Sequence, residues 1–307
     1  MNTKVKVLNI TGCERSGSTI ISKLLGEIDG FFYGGELRNI WSHSLIDNKL
    51  CSCNVLSQEC SIWSEVFTKA FNGYQIDALK MRDLISLGMR TRLVPLTFVG
   101  WGKEILKNRL KECIENLRRL YLSIQSVTGC SVIVDSTKAS PYLYLLEMID
   151  EIDLYVVHLI RDSRAVAYSW KRKKLQPEKK DKAVYMKQYT NLKGSISWNV
   201  RNLTAEVFSK SFPGKYMKLR YEDFIEKPKE SVQTILNFVN EKRNSLPFVD
   251  EHTVKLGVSH GVWGNPGRFE SGNVQLKKDE EWKEKMKPTD KFVLTALTLP
   301  LLLKYKY

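Results

Sequence analysis

The stretch Lys4-Val-Lys-Val-Leu-Asn-Ile-Thr-Gly12-Cys13-Glu14-Arg15-Ser16-Gly17-Ser18-Thr19 decides the fold. Val5, Val7, Leu8 and Ile10 read as a short strand that ends at Thr11-Gly12. A helical pattern opens at Ser18, with Ile20, Ile21, Leu24 and Leu25 on one side. A strand, a glycine-bearing loop and a helix in succession make a phosphate cradle. The unpaired N–H groups of the first helical turn point at an anion, and the helix dipole adds favourable potential. Gly12 and Gly17 allow the backbone to approach closely.

Working outward, Gly34-Gly35 marks a turn, and a less regular segment with clustered cysteines runs from Trp41 to Phe71. Between about Ile76 and Ser126 the pattern is mostly helical, with Leu106, Leu110, Cys113, Leu117, Leu120 and Tyr121 on one apolar stripe. Ser131 to Val134, Leu154 to Ile160 and Lys215 to Leu219 read as further strands, with helices expected from Ser163 and from about Lys229. The nearly all-apolar run LYVVHLI suits a parallel strand covered on both faces. Strands alternating with helices imply an α/β fold, a three-layer sandwich with a central parallel sheet and helices on both sides. The chain reads as one domain over residues 1–307, with an insertion at about 41–126. Lys171 to Lys187, which includes Pro177, reads as an exposed lysine-rich excursion, whose basic runs Lys171-Arg172-Lys173-Lys174 and Lys179-Lys180 serve either to attract an anionic ligand or as a solvated face.

The 307 residues carry 43% hydrophobic and 27% charged side chains, a globular composition that excludes a disordered chain. No apolar run reaches the roughly 18–20 residues that cross a bilayer. The longest, Phe292 to Leu303, contains Pro300 and reads as a buried terminal helix with a break. With neither a membrane span nor a secretory signal, the expected location is cytoplasmic and the six cysteines are expected as reduced thiols. A net charge of +14 favours an anionic partner. Nucleic acid is set aside because no binding module or aromatic platform accompanies that charge.

The first loop departs from the nucleotide-triphosphatase pattern G-x4-G-K-[ST] at one place: Ser18 stands where the lysine would be. The cation sits earlier, at Arg15, which weakens a small-molecule kinase reading. A second motif, Arg161-Asp162-Ser163-Arg164, ends the third strand, and Ser169 follows Arg161 by eight residues, about two helical turns. Ligands in such sheets lie beyond the carboxyl ends of strands, where an Arg and a Ser can grip one phosphate. Read alone, the pair serves equally as a structural ion pair beside an exposed serine.

Taken together, Gly-Cys-Glu-Arg-Ser-Gly-Ser-Thr and His158-Leu-Ile-Arg-Asp-Ser-Arg-Ala-Val-Ala-Tyr-Ser169 resemble the sulfotransferases that use 3′-phosphoadenosine 5′-phosphosulfate (PAPS) and release adenosine 3′,5′-bisphosphate (PAP). The resemblance continues at Tyr221-Glu222-Asp223 and at Gly264-Asn265-Pro266-Gly267-Arg268-Phe269 followed by Trp282. It implies that Cys13 to Thr19 hold the 5′-phosphosulfate, that Arg161 and Ser169 hold the 3′-phosphate, and that Tyr221 contacts or braces the cofactor. Gly267, Arg268 and Phe269 would belong to a segment, about 255–290, that closes over it, with Arg268 as a second grip on the 3′-phosphate. The interval from RSGST to GGELR is similar to that of tyrosylprotein sulfotransferases, and carbohydrate sulfotransferases share the RSGS loop. The resemblance therefore makes Glu36 the general base.

Sulfuryl transfer needs a base for the acceptor hydroxyl, cations at the leaving phosphate and in-line geometry. Arg15 and Lys138 are the candidate cations, and no metal ion is expected. Burial or substrate contact should raise Glu36 from a reference pKa of about 4.3. His43 is the alternative base. His158, inside a core strand, reads as a satisfied imidazole, and His260 as a neighbour of the Gly264 loop. Trp41 and Trp63 read as core, with adenine stacking as the alternative. Cys51-x-Cys53-x6-Cys60 with His43 nearby is a poor match to paired zinc-ligand spacing, so free thiols or a redox-dependent disulfide are preferred. The expected acceptor is a small-molecule hydroxyl, a specialised metabolite; a carbohydrate, a peptide tyrosine and an amine stay open. The expected assembly is a monomer or homodimer.

Overall fold

The computed structural model describes residues 4–307 except 91, 92, 94, 95, 97, 98, 174, 180, 181, 186, 187 and 210–212. Its first elements are β1 (Val5–Gly12), α1 (Ser18–Gly26), β2 (Phe31–Gly35), α2 (Ser61–Phe71), α3 (Ala78–Gly88), α4 (Gly100–Arg109), α5 (Lys111–Thr128), β3 (Val132–Asp135) and α6 (Ser140–Glu147). There follow β4 (Ile152–Ile160), α7 (Ser163–Lys171), the hairpin β5 (Leu175–Lys179) and β6 (Lys182–Tyr185), α8 (Asn191–Ser209), β7 (Tyr216–Arg220), α9 (Tyr221–Glu226) and α10 (Pro228–Phe238). The chain ends with β8 (Thr253–Leu256), β9 (Gly272–Gln275), α11 (Glu281–Lys285) and α12 (Pro288–Lys304).

Strand alternation sends side chains to two separate cores. Leu8 and Ile10 of β1, Val132 and Val134 of β3, and Val157 and Leu159 of β4 pack with α1 and α10 through Ile21, Leu24, Leu25, Val232 and Ile235. Val5, Val7, Ile133, Leu154 and Val156 pack on the opposite side with α5 and α6 through Leu117, Leu120, Tyr121, Tyr142 and Leu146. This is the expected three-layer sandwich. The sheet runs β2-β3-β1-β4-β7, with every pairing parallel. Burying each aliphatic side chain contributes about 1.5–3 kcal/mol, against about 0–1 kcal/mol for an exposed ion pair. The sheet is therefore the rigid floor, and the surface charges only trim it.

From β1 the chain crosses to β2 and returns through β3 on one side. It then crosses β1 to reach β4 on the other. This reversal opens a crevice beyond the carboxyl ends of β1 and β4, where ligands of α/β sheets bind. The loop from Gly12 to Gly17 sits at that crevice. Its glycines are steric necessities: a Cβ on Gly12 (φ +134°) would lie 2.3 Å from the Leu159 carbonyl oxygen, and one on Gly17 (φ +89°) 2.4 Å from the Tyr221 ring.

Two expectations need correction. Gly34-Gly35 is the end of strand β2, not a turn: Val262 pairs with Gly35, and its backbone leaves no room for a Cβ there. α12 is one continuous helix through Pro300, and Phe292, Val293, Leu297, Leu299 and Leu303 are exposed rather than buried. Among the described residues the stretch from 76 is mostly helical as expected, in α3, α4 and α5 with a break at Leu110, and every residue of the expected stripe is buried. Lys174, Lys180 and Lys187 of the lysine-rich excursion lie outside the described residues. Among the described residues no helix is long and apolar enough to cross a membrane.

Candidate active site

A cleft of about 770 Å³ lies at the crevice, within the size range of cofactor sites. Both phosphate motifs open into it. Arg15, Gly17, Ser18 and Thr19 come from the first loop, and Arg161, Ser169 and Tyr221 from the ends of β4, α7 and β7. The Arg161 Nη1 donates to the Arg15 carbonyl oxygen at 2.9 Å, so the two motifs are tied directly. A second hollow of about 700 Å³, bordered by residues of α2 and α5, is reached by none of the motif residues.

Arg15 has the most telling environment. Its backbone is held at φ +69°, where a residue with a side chain is strained. Its guanidinium is buried, and among the described residues no partner reaches Nη1 or Nη2. Burial lowers its pKa from the usual guanidinium value, Glu14 opposes that shift, and Arg172 adds to it. A buried cation without a partner is costly, and an anion in the cleft relieves that cost.

The opposite wall is built by β2 and β3. Asp135, fully buried at the end of β3, accepts from the backbone N–H of Thr137 at 2.8 Å and of Leu37 at 3.3 Å, and from the Tyr121 hydroxyl at 2.7 Å. Burial raises its pKa, while the hydrogen bonds from Thr137 and Tyr121 pull it down. Asp135 thus joins the turn that carries Glu36 to the strand end that carries Lys138. The Ser136 N–H donates to the Gly35 carbonyl at 2.7 Å, and the Arg38 N–H to the Thr137 hydroxyl at 3.3 Å. Lys138 and Glu36, both nearly buried, form an ion pair through Nζ and Oε1. The other carboxylate oxygen of Glu36 accepts from Asn39 Nδ2 at 3.2 Å.

On the Arg161 side, Asp279 is shared. Its Oδ2 lies 3.2 Å from Arg161 Nη2 and also pairs with Arg172. Burial would raise the Asp279 pKa, but the hydrogen bond from Arg172 and the charges of both arginines hold it below the usual carboxylate value. The Arg161 guanidinium stacks over the Tyr221 ring at 4.6 Å, so Tyr221 braces the arginine and also packs against Gly17.

The cleft gathers Glu14, Arg15, Gly17, Ser18, Thr19, Glu36, Lys138, Arg161, Ser169, Tyr221 and Gly267. Five candidates fall elsewhere. The Cys13 side chain is in the core with Ile160, Val166 and Trp170, where burial raises its thiol pKa far above the usual range. Ser16 is buried with its hydroxyl unpartnered among the described residues. Arg268 is buried under the cleft wall; its guanidinium donates to the Gly264 carbonyl at 3.2 Å and the Leu50 carbonyl at 3.3 Å, and stacks on Phe269. Arg268 and Phe269 therefore shape the loop from behind. His43 is buried against Trp263, which itself lines the cleft. Burial first, then the charges of Arg268 and Lys49, lower its pKa to about 3, which makes it a poor base. His260 is turned away, with Nδ1 3.2 Å from Cys60 Sγ.

His158 is the satisfied core imidazole its position implied, bonded to Tyr216 at 2.7 Å and Asn202 at 2.8 Å; burial lowers its pKa to about 4. Trp41 and Trp63 are core residues. Sequence reasoning missed Arg38, Asn39, Arg201, Trp263 and Asp279, all of which line the cleft. Arg38 and Asn39 adjoin Glu36 and were within reach of the motif. Arg172, from the basic run with an expected attraction for anions, also lines the cleft, whereas Arg201, which pairs with Glu14 at 2.7 Å, comes from α8 with no motif around it. The C-terminal segment that completes the cleft is pinned by Lys23 of α1, which donates to the carbonyls of Arg268 and Glu270.

Comparison with known proteins agrees with this geometry. No curated protein sequence matches the chain. Among solved structures, the sulfotransferase domain from the Synechococcus PCC 7002 olefin synthase is similar over 100% of this chain and 96% of that one, with a TM-score of 0.57 and 14% identity. The sulfotransferase domain from the curacin biosynthetic pathway is similar over 99% and 98%, with a TM-score of 0.55 and 16% identity. At such identities the likeness speaks for the fold. The family is shown by the sequence profile of the sulfotransferase domain, which matches residues 7–291. The chain belongs to the sulfotransferase domain family and is a transferase enzyme.

Proposed function

We propose that the protein transfers the sulfuryl group of PAPS to a hydroxyl of a small-molecule acceptor, a specialised metabolite, in the cytoplasm, and releases PAP. The observation that carries this reading is the buried guanidinium of Arg15, unpartnered among the described residues, in the same cleft as Arg161. One end of a doubly phosphorylated nucleotide fits the first loop, with the backbone N–H groups and Arg15. The other end fits Arg161, Ser169 and Arg172.

PAPS, when bound, supplies the sulfuryl group and the leaving phosphate. Arg15 and Lys138 balance the charge that develops on that phosphate. Glu36 takes the proton of the acceptor hydroxyl as its oxygen bonds to sulfur and the sulfur–phosphate oxygen bond breaks. Lys138 and Glu36 hold each other in register, and an anion that draws the ammonium away leaves the carboxylate free to accept that proton. Asn39 keeps the second carboxylate oxygen oriented. Trp263, Gly264, Asn265 and Gly267 form one wall of the cleft.

The test is incubation of the purified protein with PAPS and a cell extract, followed by mass spectrometry. The expected result is one or more small molecules gaining SO₃ together with stoichiometric PAP. Sulfation of protein tyrosines or polysaccharides alone would overturn the acceptor class. No PAP from any acceptor mixture would overturn the donor.

A further inference from the structure

We propose that Cys51, Cys53, Cys60 and His260 form a tetrahedral site for a zinc-class ion that locks the wall of the cleft. The four ligand atoms lie within 4.8 Å of one another, and Cys60 Sγ is 3.2 Å from His260 Nδ1. Zinc bonds of about 2.3 Å to sulfur and about 2.0–2.1 Å to nitrogen imply ligand–ligand separations of about 3.5–3.8 Å. Small side-chain adjustments close the set to that size. All six cysteines of the chain are free thiols, so the three ligands are chemically available.

The backbone builds this cluster. The Cys51 N–H donates to the Val55 carbonyl and the Asn54 N–H to the Cys51 carbonyl, at 2.8 and 2.9 Å. Asn54 closes that turn at φ +65°, and Leu50 and Leu56 bridge across it. The turn sets Cys51 and Cys53 side by side despite the single residue between them. Cys60 occupies the N-cap position of α2, where the helix dipole favours a thiolate.

His260 is delivered from 200 residues away by two clamps. Trp63 Nε1 donates to the His260 carbonyl at 2.6 Å, and the Ser52 hydroxyl to the Gly261 carbonyl at 2.7 Å. Three sulfurs and one imidazole, with no carboxylate, suit zinc rather than magnesium or calcium. Four protein ligands close the coordination shell, which marks a structural site rather than a catalytic one. A Cys51–Cys60 disulfide would use two of the four groups and leave Cys53 and His260 facing each other without purpose.

The location gives the site its consequence. Two residues after His260, Val262 bridges Gly35 and accepts from the Glu36 N–H at 2.8 Å, and Trp263 lines the cleft. A metal at the cluster ties the 51–60 loop to the strand that suspends Glu36. This inference does not depend on the identity of donor or acceptor.

The test is elemental analysis of the full chain purified without chelator, with cobalt(II) substitution under reducing conditions. The expected result is stoichiometric zinc, and tetrahedral thiolate d–d and charge-transfer bands with cobalt. Both should be lost in Cys53→Ser, where the side chain is partly exposed, and in His260→Gln. Both should persist in Cys130→Ser. Chelation of the wild-type protein should lower its Tm, and zinc should restore it. Absence of stoichiometric metal together with no tetrahedral cobalt spectrum would overturn the proposal. So would unchanged metal content in Cys53→Ser, or a fully formed Cys51–Cys60 disulfide in the active protein.

Discussion

Replacing Arg15 by alanine separates a ligand-binding cation from a structural one. The guanidinium offers two buried nitrogens that no described residue meets. Two charge-assisted hydrogen bonds to a phosphate or sulfuryl oxygen, at about 1.5–3 kcal/mol each, amount to about 3 kcal/mol at the low end. That is about a hundredfold in affinity for PAP. The unliganded protein should not suffer, because alanine keeps the backbone carbonyl that Arg161 uses and a buried unpaired charge disappears.

Differential scanning with and without PAP reads both effects. At a PAP concentration of about 100 times the wild-type Kd the ligand stabilises the wild-type protein by about 2.7 kcal/mol, about 4 °C for a chain of this length. The same concentration should stabilise Arg15→Ala by only about 0.4 kcal/mol, less than 1 °C. Turnover should fall at least as far as affinity. A variant with a lowered Tm in the absence of ligand and an undiminished PAP shift would refute the reasoning.

Glu36→Gln should lower kcat by about 10²–10⁴-fold, the usual worth of a general base, while the PAP-induced Tm shift stays at the wild-type value; full activity would remove Glu36 from the chemistry. Asp279→Asn should bind PAP about fivefold more tightly in calorimetry, since the carboxylate competes for Arg161 and Arg172 through a half-buried pair of about 1 kcal/mol; weaker binding would make Asp279 a positioning residue instead. His43 has a folded pKa of about 3, below its unfolded value of about 6.5. Its neutral form therefore stabilises the fold fully above about pH 6.5, and that contribution is lost progressively as the pH falls toward 3. Equilibrium unfolding from pH 7 to 4 should show this slope, and His43→Gln should reduce it, with His158, lowered by burial to about 4, supplying a remainder of the same sign.

The strand–loop–helix at residues 4–25 was legible because its signals are local: an apolar run, two glycines and a helical stripe in unbroken succession. The strand β2 was not, because Gly34-Gly35 looks like a turn until Val262 is seen lying against it. The same long reach explains the site. Arg161 at the end of β4 and Ser169 on the following helix α7 stand at one short spacing, and the sequence carries that spacing. Asp279 and Arg201 enter the cleft from elements far along the chain, with no local pattern to announce them. Arg268 was placed on a phosphate by analogy, yet its guanidinium is taken by the Leu50 and Gly264 carbonyls. Zinc was set aside on the C-x-C spacing with His43 in view; the imidazole beside the three thiols belongs instead to His260, which no spacing could reveal.

Titration calorimetry of PAP, adenosine 5′-phosphate and adenosine 3′-phosphate against wild-type protein and Arg161→Ala bears most directly on whether one cleft holds both phosphates. The expected result is one PAP site, tighter than either monophosphate, which Arg161→Ala weakens to the level of the 5′-monophosphate while leaving the latter's affinity unchanged. PAP binding no more tightly than adenosine 5′-phosphate, or losing nothing in Arg161→Ala, would contradict the account.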